Sequence, residues 1–128
     1  MKALLDTHAV VWAAEGDARL GPAATELLQS LRAGEAVVSG ITLLEIAMLA
    51  KKDRIRLSVP AEEYLRGIQR NFPPLPITSE IASIAMELEL PQADPFDRVI
   101  VATAKHHNLP LLTRDQNITA CGIIRIVW

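Results

Sequence analysis

The segment Ala3-Leu4-Leu5-Asp6-Thr7-His8 indicates the class of fold, because a short aliphatic run ends at an acid and passes directly into a helical pattern. Ala3–Leu5 is predicted to be a buried strand, and Thr7–Ala14 a helix capped by Asp6 or Thr7. The same order of strand and then helix recurs along the chain. This alternation predicts an α/β fold with a parallel sheet covered by helices on both faces.

The remaining elements are predicted from apolar periodicity and from Gly and Pro positions. The further strands are Ala36–Val38, one within Pro73–Thr78, Leu109–Thr113 and Ile123–Val127. The further helices are Pro22–Arg32, Ile41–Lys52, Pro60–Arg70, Ser79–Leu88 and Pro95–His107. Arg114–Ala120 is predicted to be a polar connection. We therefore expect one domain over residues 1–128, a three-layer α/β/α sandwich around about five short parallel strands.

Composition agrees with a buried aliphatic core, since 50% of the residues are hydrophobic and only 4% are aromatic. The net charge of −2 argues against a broadly basic nucleic-acid-binding surface but permits a local basic rim. The single cysteine, Cys121, excludes an internal disulfide and a multi-cysteine zinc site. Without a signal peptide or an apolar run of membrane length, we expect a soluble cytoplasmic protein that has no contact with a membrane.

Two acids are predicted to lie at the carboxyl ends of strands, where open parallel sheets bind their ligands. Asp6 follows the first strand, and Asp115 comes two residues after the strand that ends near Thr113. Each acid also has a simple structural interpretation, Asp6 as a helix cap and Asp115 as a turn residue.

Glu45 is predicted to lie within the apolar stripe of the third helix, between Ile41 and Met48. A carboxylate there is costly unless it is paired or binds a metal ion. The alternative is a capping box, in which Thr42 caps the helix and Glu45 reaches back to it. The sequence leaves both roles open.

The segment Asp94-Pro95-Phe96-Asp97-Arg98 is the densest charged motif. Asp94 is suited to an N-cap, Pro95 to the first helical position and Asp97 to the third. An acid-rich helix start that is favoured by the helix dipole is the simple interpretation. The helical spacing of the apolar residues that follow predicts that this helix packs on the sheet, which brings Asp97 close to the strand ends.

Together these acids predict a metal site at one edge of the sheet. Crowded carboxylates repel one another, and a hard cation such as Mg²⁺ or Mn²⁺ relieves the repulsion. A magnesium ion bound there would polarise a phosphodiester and activate water. The chain has no glycine-rich phosphate loop, no dinucleotide motif and no nucleophile elbow, and its histidines lack a metal-ligand spacing.

Over essentially its whole length the chain resembles PIN-domain nucleases, and among them the VapC-type toxins of bacterial toxin–antitoxin pairs. The matching segments are Leu4–His8, Ser39–Ile46, Asp94–Ala104 and Leu112–Asp115. The third segment is the most specific. The resemblance implies a parallel sheet between helices, hence a single PIN-like nuclease domain over residues 1–128.

The resemblance also implies an acidic site that binds Mg²⁺ or Mn²⁺. The metal-binding and catalytic acids would be Asp6, Glu45, Asp97 and Asp115. Asp94 would be a supporting cap or an auxiliary acid, the Thr113 hydroxyl would orient the site, and Arg98 would make a salt bridge or a phosphate contact. Relatives often carry His just before the third segment, where this chain has Gln92-Ala93, so substrate contacts there are not implied.

We therefore hypothesise a metal-dependent endoribonuclease that acts as a toxin, is inhibited by a cognate antitoxin and forms a homodimer. Asp6, Asp97 and Asp115 would hold one or two ions, and Glu45 would bind the second ion or take a proton from water. In-line attack would leave 5′-phosphate and 3′-hydroxyl ends. A basic run begins at the end of the third helix and would be either an RNA-facing rim or a solvated surface. It consists of Lys51, Lys52, Arg54 and Arg56.

Two alternatives stay open at this point. A receiver-like signalling domain would accept phosphate on an aspartate in an acidic Mg²⁺ pocket. It requires a lysine near the end of a late strand, but no lysine follows Lys105, and it usually has adjacent acids where this chain has Asp6-Thr7. A catalytically inactive PIN module that only binds a partner is disfavoured by the intact acids.

Overall fold

The structure, a computed structural model, describes all residues from 1 to 128. Five short strands alternate with seven helices. The strands are β1 (Ala3–Leu5), β2 (Ala36–Ser39), β3 (Pro74–Leu75), β4 (Leu111–Leu112) and β5 (Ile126–Val127). The helices are α1 (Thr7–Glu15), α2 (Pro22–Ser30), α3 (Gly40–Lys51), α4 (Ala61–Asn71), α5 (Ser79–Glu87), α6 (Pro95–His107) and α7 (Gln116–Cys121).

All strand pairs are parallel, and the strand order is β3-β2-β1-β4-β5. The chain runs outward from the central strand β1 to β2 and β3, and then crosses to β4 and β5 on the other side. Leu5 at the end of β1 lies opposite Val38 of β2 and Leu112 of β4. The carboxyl ends of β1, β2 and β4 therefore lie side by side, at the switch point where such folds place their ligand sites.

Consecutive strand residues belong to two separate apolar clusters, as the alternation of a strand requires. Leu4 packs in a cluster with residues of α5 and α6, including Ile81 and Ile100. Leu5 packs in the other cluster with residues of α1, α2, α3 and α4, including Val10 and Ile46. The predicted three-layer α/β/α sandwich around five parallel strands is confirmed. None of the helices combines the length and the apolar character that crossing a bilayer requires.

The prediction of a polar connection over Arg114–Ala120 is wrong, because α7 begins at Gln116 within it. Only one residue of this short helix, Ile118, is buried, so its sequence carries no apolar stripe to reveal it. The strands predicted as Leu109–Thr113 and Ile123–Val127 pair over only two residues each. The remaining elements were predicted correctly to within a few residues.

Candidate active site

A wholly polar cavity of about 320 Å³ opens at the carboxyl ends of β1 and β4, and no hydrophobic residue lines it. We call it the acidic cavity. Its lining consists of Asp6, Thr7, His8, Glu45, Asp94, Asp97, Arg114 and Asp115. All four acids that the sequence proposed as site residues therefore share one cavity, together with Asp94.

Three of these acids also cap helices that begin at the cavity. One oxygen (Oδ1) of Asp6, Asp94 and Asp115 accepts the backbone N–H three residues later, at 2.8, 2.8 and 2.9 Å respectively. The caps are those of α1, α6 and α7. Each capping bond fixes the position of the carboxylate and leaves its second oxygen free of that bond. The positive end of each helix dipole also favours the negative charge of the carboxylate.

Glu45 lies inside α3 and does not form the capping box that the sequence allowed. The cap of α3 is Ser39, whose hydroxyl accepts the N–H of Ile41, so Thr42 is already a buried helical residue. The Thr7 hydroxyl donates to Oε1 of Glu45 at 2.5 Å and lies 3.4 Å from the Thr42 hydroxyl. The Thr7 hydroxyl of α1 thus holds the Glu45 carboxylate of α3 in the lining of the acidic cavity.

Asp97 is the acid whose protonation is perturbed most clearly. It lies in the first turn of α6 and accepts no hydrogen bond from the protein. Burial raises the pKa of Asp97 to about 7, and the negative charges of the four other acids of the cavity act in the same direction. Near neutral pH, Asp97 is therefore divided between its protonated and charged forms.

Burial also raises the pKa of Asp6 and of Glu45. For Asp6, hydrogen bonds from the Thr113 hydroxyl and the Ala9 N–H oppose this effect, and for Glu45 the Thr7 hydroxyl does so. The cavity therefore disfavours negative charge on three acids at once. A bound proton or a bound cation relieves that cost.

Thr113 and Arg98, both proposed as supporting residues, have different surroundings. The buried Thr113 hydroxyl bonds the Asp6 carboxylate and accepts the N–H of Asp115 at 3.1 Å, so it links two acids of the cavity. Arg98 lies outside the cavity. Its guanidinium donates to the carbonyls at the end of α5 and just beyond it, those of Ala85, Leu88 and Leu90, at 3.1, 2.9 and 2.9 Å. Its side chain makes no salt bridge with the acids.

The acids share a cavity, but they do not form a finished set of ligands. In the present rotamers no group of three Asp, Glu, His or Cys side chains could hold a single metal ion. The acids therefore line one cavity, whereas their role as metal ligands and catalytic groups stays a prediction.

Comparison with known proteins decides the family. A family model described as the PIN domain matches residues 3–122. The chain is also 34% identical over 116 residues to ribonuclease VapC22 of Mycobacterium tuberculosis, an alignment that covers 90% of this chain and 88% of that protein. The chain belongs to the PIN-domain family.

Solved structures agree with this PIN fold. A toxin–antitoxin complex from Klebsiella pneumoniae contains a chain that is 28% identical, with a TM-score of 0.71 over 99% of this chain and 97% of that one. VapBC2 from Rickettsia felis, solved with a DNA fragment from its promoter, superimposes with a TM-score of 0.72 over 98% and 97% of the two chains. Its 19% identity shows the fold alone.

Three residues that line the acidic cavity of this PIN domain were not proposed as site residues from the sequence, namely His8, Arg114 and Thr7, whose hydroxyl binds Glu45. The guanidinium of Arg114 lies 4.5 Å from the centre of a Trp12 ring and pairs with no carboxylate. The ring of His8 lies 5.7 Å from Trp12. Arg114 lies in the sequence between Thr113 and Asp115, two predicted site residues, and this position could have indicated a role at the site. The stacking of Arg114 on Trp12 is not visible in the sequence.

The basic run is remote from the acids. Lys51 and Arg56 line a separate groove between the end of α3 and the start of α4, and none of the four basic residues lines the acidic cavity. The solvated-surface interpretation is the one that this position favours. No lysine lines the acidic cavity either, so a receiver-like phosphoacceptor site lacks the lysine that it requires.

Proposed function

We propose that this PIN domain is a metal-dependent endoribonuclease and the toxin of a toxin–antitoxin pair. The observation that carries the proposal is the convergence of five carboxylates on one polar cavity at the switch point of the sheet. The name of the Mycobacterium tuberculosis relative, a ribonuclease, supports the activity. The Klebsiella pneumoniae neighbour was solved as a toxin–antitoxin complex, which supports a cognate antitoxin as partner.

The donor atoms suit Mg²⁺ or Mn²⁺, which prefer carboxylate oxygens. The acids that would hold the ion are Asp6, Glu45, Asp97 and Asp115, with Asp94 as an auxiliary acid. Small rotamer changes would have to draw them together, because their present arrangement is not a finished ligand set. When bound, such an ion supplies positive charge that polarises a phosphodiester and acidifies water.

The protein's own groups would complete the chemistry. Glu45, held by the Thr7 hydroxyl and with its pKa raised by burial, is suited to accept a proton from the attacking water. Arg114 is the one permanently cationic side chain of the cavity and has no carboxylate partner, so its guanidinium is free to bind a phosphate oxygen. Thr113 would fix the positions of Asp6 and Asp115 relative to each other through its hydrogen bonds to both.

The test is RNA cleavage by the purified chain with Mg²⁺, with Mn²⁺ and with EDTA. We expect metal-dependent cleavage, and a loss of at least about a hundredfold in Asp6→Asn and in Asp97→Asn. Glu26→Gln is the matched control, because Glu26 is exposed on α2 and far from the cavity lining. Cleavage that persists in EDTA, or that survives both Asn substitutions, would reject the proposal. The homodimer and the cytoplasmic location stay predictions.

A further inference from the structure

A second cavity, of about 380 Å³, adjoins the acidic cavity and shares two of its walls, Asp97 and Asp115. We call it the side cavity. It lies between the segment 89–93, which precedes α6, and the short helix α7. Its other lining residues include Glu89, Pro91, Gln92, Ala93, Asn117 and Cys121. We propose that the side cavity is a nucleobase subsite, which holds one base of a single-stranded RNA beside the phosphate that is cleaved.

The shared walls are the first argument. This inference rests on the proposed nuclease activity, which puts the scissile phosphate in the acidic cavity. Because Asp97 and Asp115 line both cavities, the phosphate position and the side cavity lie next to each other, with these two residues in common. The base of a nucleotide attached to that phosphate would therefore lie close to the side cavity.

The chemistry of the walls is the second argument. Pro91, Ala93 and Ala120 supply accessible apolar surface for the faces of a base, and the carboxamides of Gln92 and Asn117 supply hydrogen-bond donors and acceptors for its edge. No lysine or arginine lines the side cavity, while three acids do, so a phosphate is disfavoured there. A volume of about 380 Å³ lies within the usual range for small-molecule sites.

The side cavity is also built on fixed supports. Arg98 holds the carbonyls of Leu88 and Leu90, which anchors the segment that forms one wall. On the opposite wall, Asp115 caps α7 and Ile118 is buried in the core. A site that is already formed loses little conformational entropy when it binds its ligand.

Cys121 gives a direct readout of occupancy, because it is the only cysteine of the chain and is partly accessible in the side cavity. The experiment measures the rate of Cys121 alkylation in Asp6→Asn with Mn²⁺, a variant that keeps the side cavity but is expected not to cleave. The probes are a mixed-sequence single-stranded RNA and an abasic oligonucleotide of the same length. We expect the RNA to slow alkylation by at least about fivefold and the abasic strand to leave it nearly unchanged. Equal rates with both strands would overturn the inference.

Base preference is the second readout. We expect Gln92→Ala and Asn117→Ala to change base preference beside the cut, because they remove groups that contact a base edge. In a randomised RNA pool, the ratio of cleavage between the preferred base and the others should change by at least about tenfold. Gln116→Ala is the matched control, since Gln116 is exposed on α7 and lines neither cavity. Unchanged preference in both variants, with metal-dependent cleavage intact, would reject the subsite and leave the nuclease proposal standing. Absence of any cleavage by the unaltered chain would instead reject the nuclease proposal, and the subsite with it.

Discussion

Asp6, Asp94 and Asp115 each cap a helix with one carboxylate oxygen while they line the acidic cavity. Sequence reasoning treated capping and site formation as alternatives for Asp6 and Asp94. The structure shows that they are compatible, because a carboxylate has two oxygens and the cap uses one. The capping pattern in the sequence therefore neither supports nor excludes a functional role. Only the common location of the acids distinguishes them from ordinary caps.

The raised pKa of Asp97 makes the stability of the metal-free protein depend on pH. With a pKa near 7 in the folded state and near 3.8 when unfolded, Asp97 binds more protons in the folded chain between these values. The contribution of Asp97 to the free energy of unfolding therefore falls as pH rises from about 4 to about 7. Asp6 and Glu45 act in the same direction. In EDTA we expect a lower melting temperature at pH 8 than at pH 5.5.

The variant Asp97→Asn tests the origin of that effect. It should stabilise the metal-free protein at pH 8 by about 1–2 kcal/mol, after allowance for solvent screening of this partly exposed group, and should flatten the pH dependence. Glu26→Gln should leave the pH dependence unchanged. Melting curves of Asp97→Asn that coincide with those of the unaltered protein at both pH values would contradict the assignment.

Arg114 offers a test of phosphate binding at the cavity. Arg114→Ala should lower kcat/KM for RNA cleavage by about 10–100-fold, because it removes the only permanent cation of the cavity, and Arg114→Lys should restore part of it. Arg19→Ala is the matched control, since Arg19 lies 5.0 Å from the same Trp12 ring but does not line the cavity. If Arg19→Ala impairs cleavage as much as Arg114→Ala, the effect comes from the stacking on Trp12 and not from phosphate binding.

At the scale of elements, Arg98 joins the start of α6 to the end of α5. It follows Asp97 directly, which suggested a role at the site, yet it donates to three backbone carbonyls instead. Arg98→Met should therefore lower the free energy of unfolding by about 2–4 kcal/mol in a urea titration, because the carbonyls lose charged donors. Arg66→Ala, which breaks only the exposed ion pair with Glu62, should cost less than about 1 kcal/mol. Equal effects of the two substitutions would contradict the structural role.

The elements that could be predicted from the sequence are those whose apolar pattern is long or continuous. The aliphatic run of β1 and the periodic stripe of α6 belong to this group, and both were predicted close to their observed bounds. The helix α7 could not be predicted, because six residues with one buried side chain carry no periodicity. The start of α3 was predicted to within one residue, at Ile41, but its cap was not identified, because Thr42 has the spacing of a cap to Glu45 whereas the buried Ser39 is the cap that forms.

At the scale of the whole molecule, the sheet separates two apolar clusters and also couples them. Leu4 belongs to one cluster and Leu5 to the other, although both are residues of β1. Leu4→Ala and Leu5→Ala should each lower the free energy of unfolding by about 2–5 kcal/mol. In a single domain, both should shift one cooperative unfolding transition, measured by circular dichroism and by tryptophan fluorescence. Two separate transitions would contradict the single-domain prediction.

Much of the site could be predicted because one topological rule brings distant residues together. Given a parallel sheet, the rule about strand ends was sufficient to place Asp6 and Asp115 at the same edge. The rule does not give the strand order, which puts β4 beside β1, nor the rotamers that point Arg114 toward Trp12. Those features depend on packing between elements that are far apart in the chain, so no local pattern contains them.

The central claim is that the acids of the acidic cavity act together to bind a divalent metal, as one or two ions. Its most direct test is Mn²⁺ binding to the purified chain, measured by isothermal titration calorimetry at pH 7.5. We expect saturable binding that Asp6→Asn and Asp97→Asn each weaken by at least about tenfold and that Glu26→Gln leaves unchanged. Binding that is equally strong in all three variants, or absent from the unaltered chain, would contradict the claim.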